Sequence, residues 1–134
     1  IVMPETTPFT KVARTRAHGA NVVLSGETLA DSQVTAEGII AEQGLTLVHP
    51  YDDDYIIAGQ GTVGIEMLED MPELDAVVIP IGGGGLASGC SIAFKHLRPQ
   101  TEVIGVEVKQ YPSMYHALRG EEAPRAGRRR AGDR

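Results

Sequence analysis

Short apolar runs alternate with longer amphipathic segments along this chain. The apolar runs predict five strands, at residues 1–4, 21–24, 45–48, 76–81 and 102–108. Five helices are predicted between and after them, at residues 8–18, 27–43, 55–68, 86–98 and 112–118. Strands that alternate with helices in this way indicate an α/β fold built from parallel βαβ units.

Several residues are predicted to begin or end these helices. Thr6 or Thr7 is a candidate N-cap for the first helix, and Gly44 is the predicted C-cap of the second. The third helix is expected to be regular only in its second half, because Gly59-Gln60-Gly61-Thr62 stands at or near its start, and Met71-Pro72 should end it.

The most informative stretch is a strand, a glycine run and a helix in direct succession. The predicted buried strand 76–81 leads into Gly82, Gly83, Gly84 and Gly85, and an apolar helix follows. Glycines allow a sharp turn and positive φ angles, so successive N–H groups can converge on one anion at the positive end of the helix. The pattern predicts a phosphate pocket, although a tight turn used only for packing is an alternative. The absence of Gly-Lys-Ser/Thr after the run excludes a Walker loop.

A dinucleotide site is a second interpretation of the same glycines. Residues 82–87 satisfy G-x-G-x-x-A, and Glu107 lies about twenty residues on, where an acid could bind a ribose. Glycine runs match this pattern easily, so the alternative remains open at this point.

Three motifs and the opening segment carry a family resemblance. V-I-P-I-G-G-G-G-L at 78–86, H-P-Y-D-D-D-Y-I-I-A-G-Q-G-T-V-G-I-E-M-L at 49–68 and V-I-G-V-E at 103–107 resemble the pyridoxal-phosphate enzymes of the threonine dehydratase and serine racemase group. The resemblance extends from residue 1 to about residue 120. It implies part of the two-lobe fold type II architecture, with three-layer α/β/α character, in which residues 1–72 belong to the smaller lobe and 73–120 to the larger.

The resemblance also implies a cofactor and its contacts. Pyridoxal 5'-phosphate would be held through its phosphate by the backbone of five residues: Gly82, Gly83, Gly84, Gly85 and Leu86. In some relatives the glutamate at the place of Glu107 helps to hold a divalent cation, but Ser113 stands here where those relatives have the second acid. Because the loop at Asp52-Asp53-Asp54 borders the active site in the family, one of these acids could face the pocket.

No residue of this chain is assigned a catalytic role. The family's Ser-x-Lys motif, whose lysine holds the cofactor covalently, and its Ser-x-Gly-Asn-His loop are both absent from the sequence. Lys11, Lys95 and Lys109 are expected to be ordinary surface residues. The resemblance therefore implies an internal fragment of a threonine/serine ammonia-lyase, which converts a hydroxy amino acid to an oxo acid and ammonia. By itself the chain is expected to be inactive, and a non-catalytic chain that keeps only a phosphate pocket is the alternative.

Composition and charge limit the classes of partner. Residues 1–120 contain seven Lys/Arg and fifteen Asp/Glu, a net charge of −8, which argues against a nucleic-acid partner. Cys90 is the single cysteine, so no intramolecular disulfide is possible. The four histidines lack metal-ligand spacing. No apolar run reaches membrane-spanning length, and no signal is visible, which predicts a cytoplasmic protein.

The expected partners are a small amino acid substrate and, in the full-length enzyme, further copies of the same chain. The arginine-rich segment 121–134 has no apolar residue larger than alanine or proline. We expect it to be disordered and foreign to the fold.

Overall fold

A computed structural model describes residues 1–122 as an α/β structure with parallel strands. The predicted disorder of the arginine-rich segment falls, from residue 123 onward, outside the described residues. The elements, in chain order, are β1 (Val2–Met3), α1 (Phe9–Ala17), β2 (Val23–Leu24), α2 (Leu29–Gln43), α3 (Asp54–Asp70), β3 (Ala76–Pro80), α4 (Gly85–Leu97), β4 (Glu102–Val106) and α5 (Ser113–Leu118).

The chain forms two compact units, of which the first is Ile1–Val48. In it, β1 and β2 pair in parallel, with Val2 opposite Val23. Helix α2 packs on β1, and Val12 of α1 is buried. The first unit is therefore a small βαβα arrangement around a two-stranded sheet.

Both ends of α2 are held by local hydrogen bonds and backbone geometry. The Thr28 hydroxyl accepts a hydrogen bond from the Asp31 N–H at 3.2 Å, and the Asp31 carboxylate accepts one from the Thr28 N–H at 2.9 Å. This reciprocal pair is a capping box. At the other end Gly44 adopts φ 63°, a left-handed conformation that glycine adopts without steric cost, and this confirms it as the predicted C-cap.

The second unit begins at His49 and contains the remaining elements. Strands β3 and β4 pair in parallel from Ala76 opposite Glu102 to Pro80 opposite Val106. Val77 and Ile79 point to one face, where they form a core with Cys90 and Phe94 of α4. Val78, on the other face, is 64% exposed. The predicted burial of this strand is thus found on one face only.

Helices α3 and α4 pack against each other at very close range. A Cβ on Gly61 would lie 3.0 Å from the carbonyl oxygen of Gly89, and a Cβ on Gly89 would overlap the carbonyl oxygen of Ile57. A Cβ on Gly64 would lie 3.2 Å from the Cβ of Ala93. Small residues on both helices therefore allow the two backbones to touch.

Three sequence predictions of secondary structure are wrong in detail. Helix α3 begins at Asp54 and continues through Gly59 and Gly61, because packing against α4 outweighs the low helix propensity of glycine. Residues 45–48 form no strand within the described part of the chain, and Leu45, Leu47 and Val48 are exposed there. Pro8, rather than Thr6 or Thr7, is the N-cap of α1, without a side-chain hydrogen bond.

Within residues 1–122, no helix is both long enough and apolar enough to cross a bilayer. Helix α3 lies in the same compact unit as the glycine run. The lobe boundary at residue 72 stays a prediction.

Candidate functional site

The glycine run forms the link between β3 and α4. The Ile81 N–H donates to the Val106 carbonyl at 2.8 Å, which extends the pairing of the two strands by one residue. The chain then bends through residues 82–84, and α4 begins at Gly85. Gly84, the N-cap of α4, has φ 95°, which a residue with a Cβ rarely adopts. The sequence prediction of strand, glycine loop and helix is confirmed.

The backbone amides of this loop are free to bind an anion. Within residues 1–122, the N–H groups of residues 82–87 donate no hydrogen bond to a protein acceptor, and the Ser88 N–H is the first to bond back, to Gly84 O at 2.8 Å. The first N–H groups of a helix carry its positive partial charge. The loop therefore offers several unpaired donors at the positive end of a thirteen-residue helix.

Two side chains that sequence reasoning missed pack against the loop. The ring of Tyr51 occupies the space that a Cβ on Gly83 would need. The backbone carbonyl oxygen of Tyr51 would lie 2.8 Å from a Cβ on Gly85. The Cε of Met114, in α5, would lie 2.6 Å from a Cβ on Gly84. The need for glycine at three consecutive positions follows from these neighbours as well as from the turn.

Local hydrogen bonds hold the segment that carries Tyr51. The His49 Nδ1 accepts hydrogen bonds from the Tyr51 N–H at 3.3 Å and the Asp52 N–H at 2.8 Å. The rings of His49 and Tyr51 pack edge to face, with their centroids 4.8 Å apart. The Asp53 carboxylate accepts hydrogen bonds from the N–H groups of Tyr55 and Ile56 and caps α3. Asp53 is thus the member of the acidic cluster Asp52-Asp53-Asp54 that caps a helix.

Glu107 lies just beyond β4 and is bound to the start of α5. Its carboxylate accepts hydrogen bonds from the Met114 N–H at 2.8 Å, the Tyr115 N–H at 2.7 Å and the Ser113 hydroxyl at 3.3 Å. Partial desolvation opposes ionisation, but these hydrogen bonds and the nearby His116 outweigh it, so the pKa of Glu107 is below its ordinary value. Glu107 and Ser113, which stand where some relatives have a pair of metal ligands, are joined here by a direct hydrogen bond.

The other candidate residues do not gather into a site. Lys11, Lys95 and Lys109 are all exposed. Over residues 1–122, no group of three or more His, Cys, Asp or Glu side chains is arranged to hold a metal ion. Cys90 is buried, and desolvation raises the pKa of its thiol.

An apolar groove of about 480 Å³ runs between α3 and α4. All of its lining residues belong to these two helices, and they include Asp54 and His96. It is therefore a feature of the helix pair rather than of the glycine loop.

Local sequence signals predict the glycine loop, but they do not predict which side chains pack against it. Tyr51 is 32 residues before Gly83, and Met114 is 30 residues after Gly84, so no spacing rule connects them. In the sequence, the H-P-Y motif at residues 49–51 is informative only as a family signature. A tyrosine two residues after a histidine gives no indication that its ring will lie on a glycine.

The loop fits a phosphate group. It combines unpaired N–H donors, a helix N-terminus and a backbone free of side chains at residues 82–85, which are the features of anion sites in α/β proteins. Among residues 1–122, a Cβ on Gly82 would meet nothing within 4 Å, so these residues leave space beside the start of the loop.

Comparison with known proteins identifies relatives over nearly the whole chain. Residues 1–132 match the family described as pyridoxal-phosphate dependent enzymes. The chain is 45% identical over 125 residues to an L-threonine ammonia-lyase of Thermotoga maritima, covering 93% of this chain and 31% of that protein. The chain therefore spans about a third of the length of this curated relative.

Solved structures show the same likeness. The processed form of threonine deaminase isoform 2 from Solanum lycopersicum has a TM-score of 0.82 and 41% identity, covering 91% of this chain and 34% of that one. Maize serine racemase has a TM-score of 0.84 and 33% identity, covering 91% of this chain and 37% of that one.

Proposed function

Because the chain belongs to the family of pyridoxal-phosphate dependent enzymes, we propose that it is the phosphate-holding part of a threonine or serine ammonia-lyase. The fold is part of the two-lobe fold type II architecture of these enzymes. Residues 1–72 would belong to the smaller lobe and 73–120 to the larger. The family match favours this function over the dinucleotide alternative, and the Glu107 carboxylate proposed for a ribose is bound to α5.

The glycine loop is the observation that carries the proposal. The N–H groups of Gly82, Gly83, Gly84, Gly85 and Leu86 would bind the phosphate of pyridoxal 5'-phosphate, since they have no protein acceptor within residues 1–122. When bound, this cofactor supplies an electron sink for charge at the α-carbon of an amino acid. The contribution of this chain is to bind the cofactor and orient it, and the Tyr51 ring shields one side of the loop.

The position of the lysines supports a binding role for the chain by itself. Lys95 lies in the last turn of α4, ten residues beyond Gly85 and about 15 Å along the helix from the proposed phosphate. It is exposed, as are Lys11 and Lys109. We therefore propose that the 134-residue chain binds the cofactor without catalysing ammonia release, and that the complete protein converts a hydroxy amino acid to an oxo acid and ammonia as a homo-oligomer.

A divalent cation at Glu107 is a separate hypothesis. Both oxygens of this carboxylate already accept hydrogen bonds from α5. Within residues 1–122 no group of three or more His, Cys, Asp or Glu side chains is arranged to hold a metal ion, so a cation at Glu107 would need backbone carbonyls or waters among its ligands.

A charge placed in the loop tests the phosphate site. Gly82→Asp introduces a carboxylate into open space beside the free N–H groups, so it should repel the phosphate and weaken pyridoxal 5'-phosphate binding by about tenfold or more. The measurement is a titration of the chain followed by cofactor fluorescence, with inorganic phosphate as competitor.

Gly38→Asp is the matched control, because Gly38 is exposed in α2 and its Cβ would also meet open space. It should leave the affinity unchanged. If the unsubstituted chain binds neither pyridoxal 5'-phosphate nor phosphate, or if Gly82→Asp binds as tightly as the control, the proposed site is wrong. Ammonia release from threonine and serine by the complete protein tests the activity.

A further inference from the structure

We infer that Glu107 is a positioning residue for the glycine loop, acting through α5 and Met114. The inference rests on the proposed phosphate site for its functional meaning. Its structural basis is a chain of contacts in which Glu107 holds the first turn of α5, and Met114 of that turn packs on Gly84.

Helix α5 depends on Glu107 for the hydrogen bonds of its first turn. This helix has only six residues and its N-cap, Pro112, makes no side-chain hydrogen bond. Helices of this length are not stable on their own propensity. The Glu107 carboxylate supplies what the N-cap does not, since it accepts hydrogen bonds from the N–H groups of Met114 and Tyr115 and from the Ser113 hydroxyl.

Met114 connects Glu107 to the glycine loop. Its backbone N–H bonds to Glu107, and its half-buried side chain reaches Gly84. Gly84 is buried, has φ 95° and directs the chain into α4. A contact at this residue bears on the direction of the next N–H groups, those of Gly85 and Leu86, which are two of the proposed phosphate donors.

The register of β3 and β4 places Glu107 beside the glycine loop. Pro80 lies opposite Val106, so the chain leaves two neighbouring parallel strands at the same edge of the sheet. The glycine loop follows one strand and Glu107 follows the other. Strand β4 thereby fixes the position of Glu107 beside the loop. Helix α5, which is bound to Glu107, contacts Gly84 through the Met114 side chain.

Hydrogen exchange in the ligand-free chain tests the inference without relying on cofactor binding. Glu107→Ala should accelerate loop exchange, measured at the Ser88 N–H that donates to the Gly84 carbonyl at 2.8 Å, by about fivefold or more, because Met114 is no longer held on Gly84. Glu121→Gln is the matched control. Glu121 pairs with Arg119 and His116 at the other end of α5, so its loss should leave exchange in the loop unchanged.

Substitutions of Met114 separate positioning from direct binding by Glu107. Met114→Ala should accelerate loop exchange as Glu107→Ala does, and Met114→Leu should restore it by refilling the contact with Gly84. If Glu107 acts through Met114, the effects of Glu107→Ala and Met114→Ala will not add in the double variant. Each should also weaken binding of pyridoxal 5'-phosphate by about tenfold, as a displaced binding group does.

The outcomes distinguish this inference from the proposed function. Unchanged loop exchange in Glu107→Ala, or fully additive effects in the double variant, would overturn the positioning role. Faster loop exchange in both variants, with no binding of pyridoxal 5'-phosphate by the unsubstituted chain, would support the positioning role and reject the proposed phosphate site. If Gly82→Asp weakens cofactor binding while Glu107→Ala changes neither cofactor binding nor loop exchange, the phosphate site is supported and the positioning role is rejected.

Discussion

At the scale of single residues, Gly61 and Gly89 decide how closely α3 and α4 approach. Each faces the backbone of the other helix, and a Cβ on Gly89 would also lie 2.6 Å from the Gly61 nitrogen. Glycine inside a helix costs about 0.5–1 kcal/mol relative to alanine. That cost is offset here by contact between two backbones, which places the first turns of α4 and the loop before them.

Two Gly→Ala substitutions should have opposite effects on stability. Gly89→Ala forces its methyl group onto the Ile57 carbonyl oxygen and should lower the free energy of unfolding by about 1–3 kcal/mol. Gly59→Ala, in the same helix pair but facing open space, should raise it by about 0.5–1 kcal/mol. Urea unfolding of the two variants and the unsubstituted chain measures both. Stabilisation by Gly89→Ala would show that the helices are not in backbone contact.

The sequence alone does not show the packing role of these glycines, for a physical reason. Because glycine lowers helix propensity, the sequence predicts that Gly59-Gln60-Gly61-Thr62 lies at or near the start of the helix. Propensity is a local quantity, whereas the benefit of Gly61 comes from Gly89, 28 residues away. The sequence predicts the role of a glycine correctly where that role is local. Gly44 and Gly84 are such cases, and both have positive φ.

At the scale of elements, the start of α2 is determined by hydrogen bonds between residues that are close in sequence. The capping box of Thr28 and Asp31 involves residues three apart, so it can form as soon as the first turn does. Thr28 hydrogen bonds to the Asp31 carboxylate through both its hydroxyl and its N–H, and these bonds lower the pKa of Asp31.

Removal of the Thr28 hydroxyl should destabilise the first unit and change the titration of Asp31. Thr28→Ala is expected to lower the free energy of unfolding by about 1 kcal/mol. The pKa of Asp31 should rise toward its ordinary value, because the hydroxyl is the largest cause of its depression. NMR titration of the carboxylate and chemical denaturation measure the two effects. Thr28→Ser, which keeps the hydroxyl, should restore both; an unchanged Asp31 titration in Thr28→Ala would contradict the capping role.

Helix α5 should loosen in acid. The pKa of Glu107 is lower in the folded chain than in the unfolded one, so its stabilising contribution is complete above the unfolded value of about 4.3 and is lost as the pH falls through the folded value. The chain should therefore be more stable than Glu107→Gln near neutral pH, and the difference should shrink in acid. Thermal unfolding of both proteins across pH 2–7 measures it. A difference that grows as the pH falls would contradict this sign.

The strand predicted at residues 45–48 is absent because these residues have no hydrogen-bonded strand partner within residues 1–122. Residues 45–48 have the apolar composition of a strand, but a strand exists only with a hydrogen-bonded neighbour, and the parallel partners found within residues 1–122 are β1 with β2 and β3 with β4. Residues 76–80 and 102–106 succeed because each supplies the other's partner. Composition identifies a candidate strand, and topology determines whether it forms.

At the scale of the whole molecule, the fold class and family followed from the order of motifs, but the neighbours of the site did not. The chain covers 31% of the Thermotoga relative and 34% of the tomato deaminase, and the two compact units within it each have their own parallel strand pair. Apolar side chains such as Val78 and Ile104 are exposed on the second pair. Contacts between distant segments, such as Tyr51 with Gly83, depend on the completed packing and leave no periodic trace in the sequence.

The contact between Gly61 and Gly89 also restricts how the protein can change over time. Where side chains interlock, a larger residue on one helix can be compensated by a smaller one on its neighbour. Here neither partner can become smaller, so an enlargement at either position has no complementary substitution and must be absorbed by moving a whole helix. Because α4 begins at the glycine loop, that movement would displace the loop as well. Variation at these two sites is thus coupled to the position of the glycine loop, the proposed phosphate site, through geometry alone.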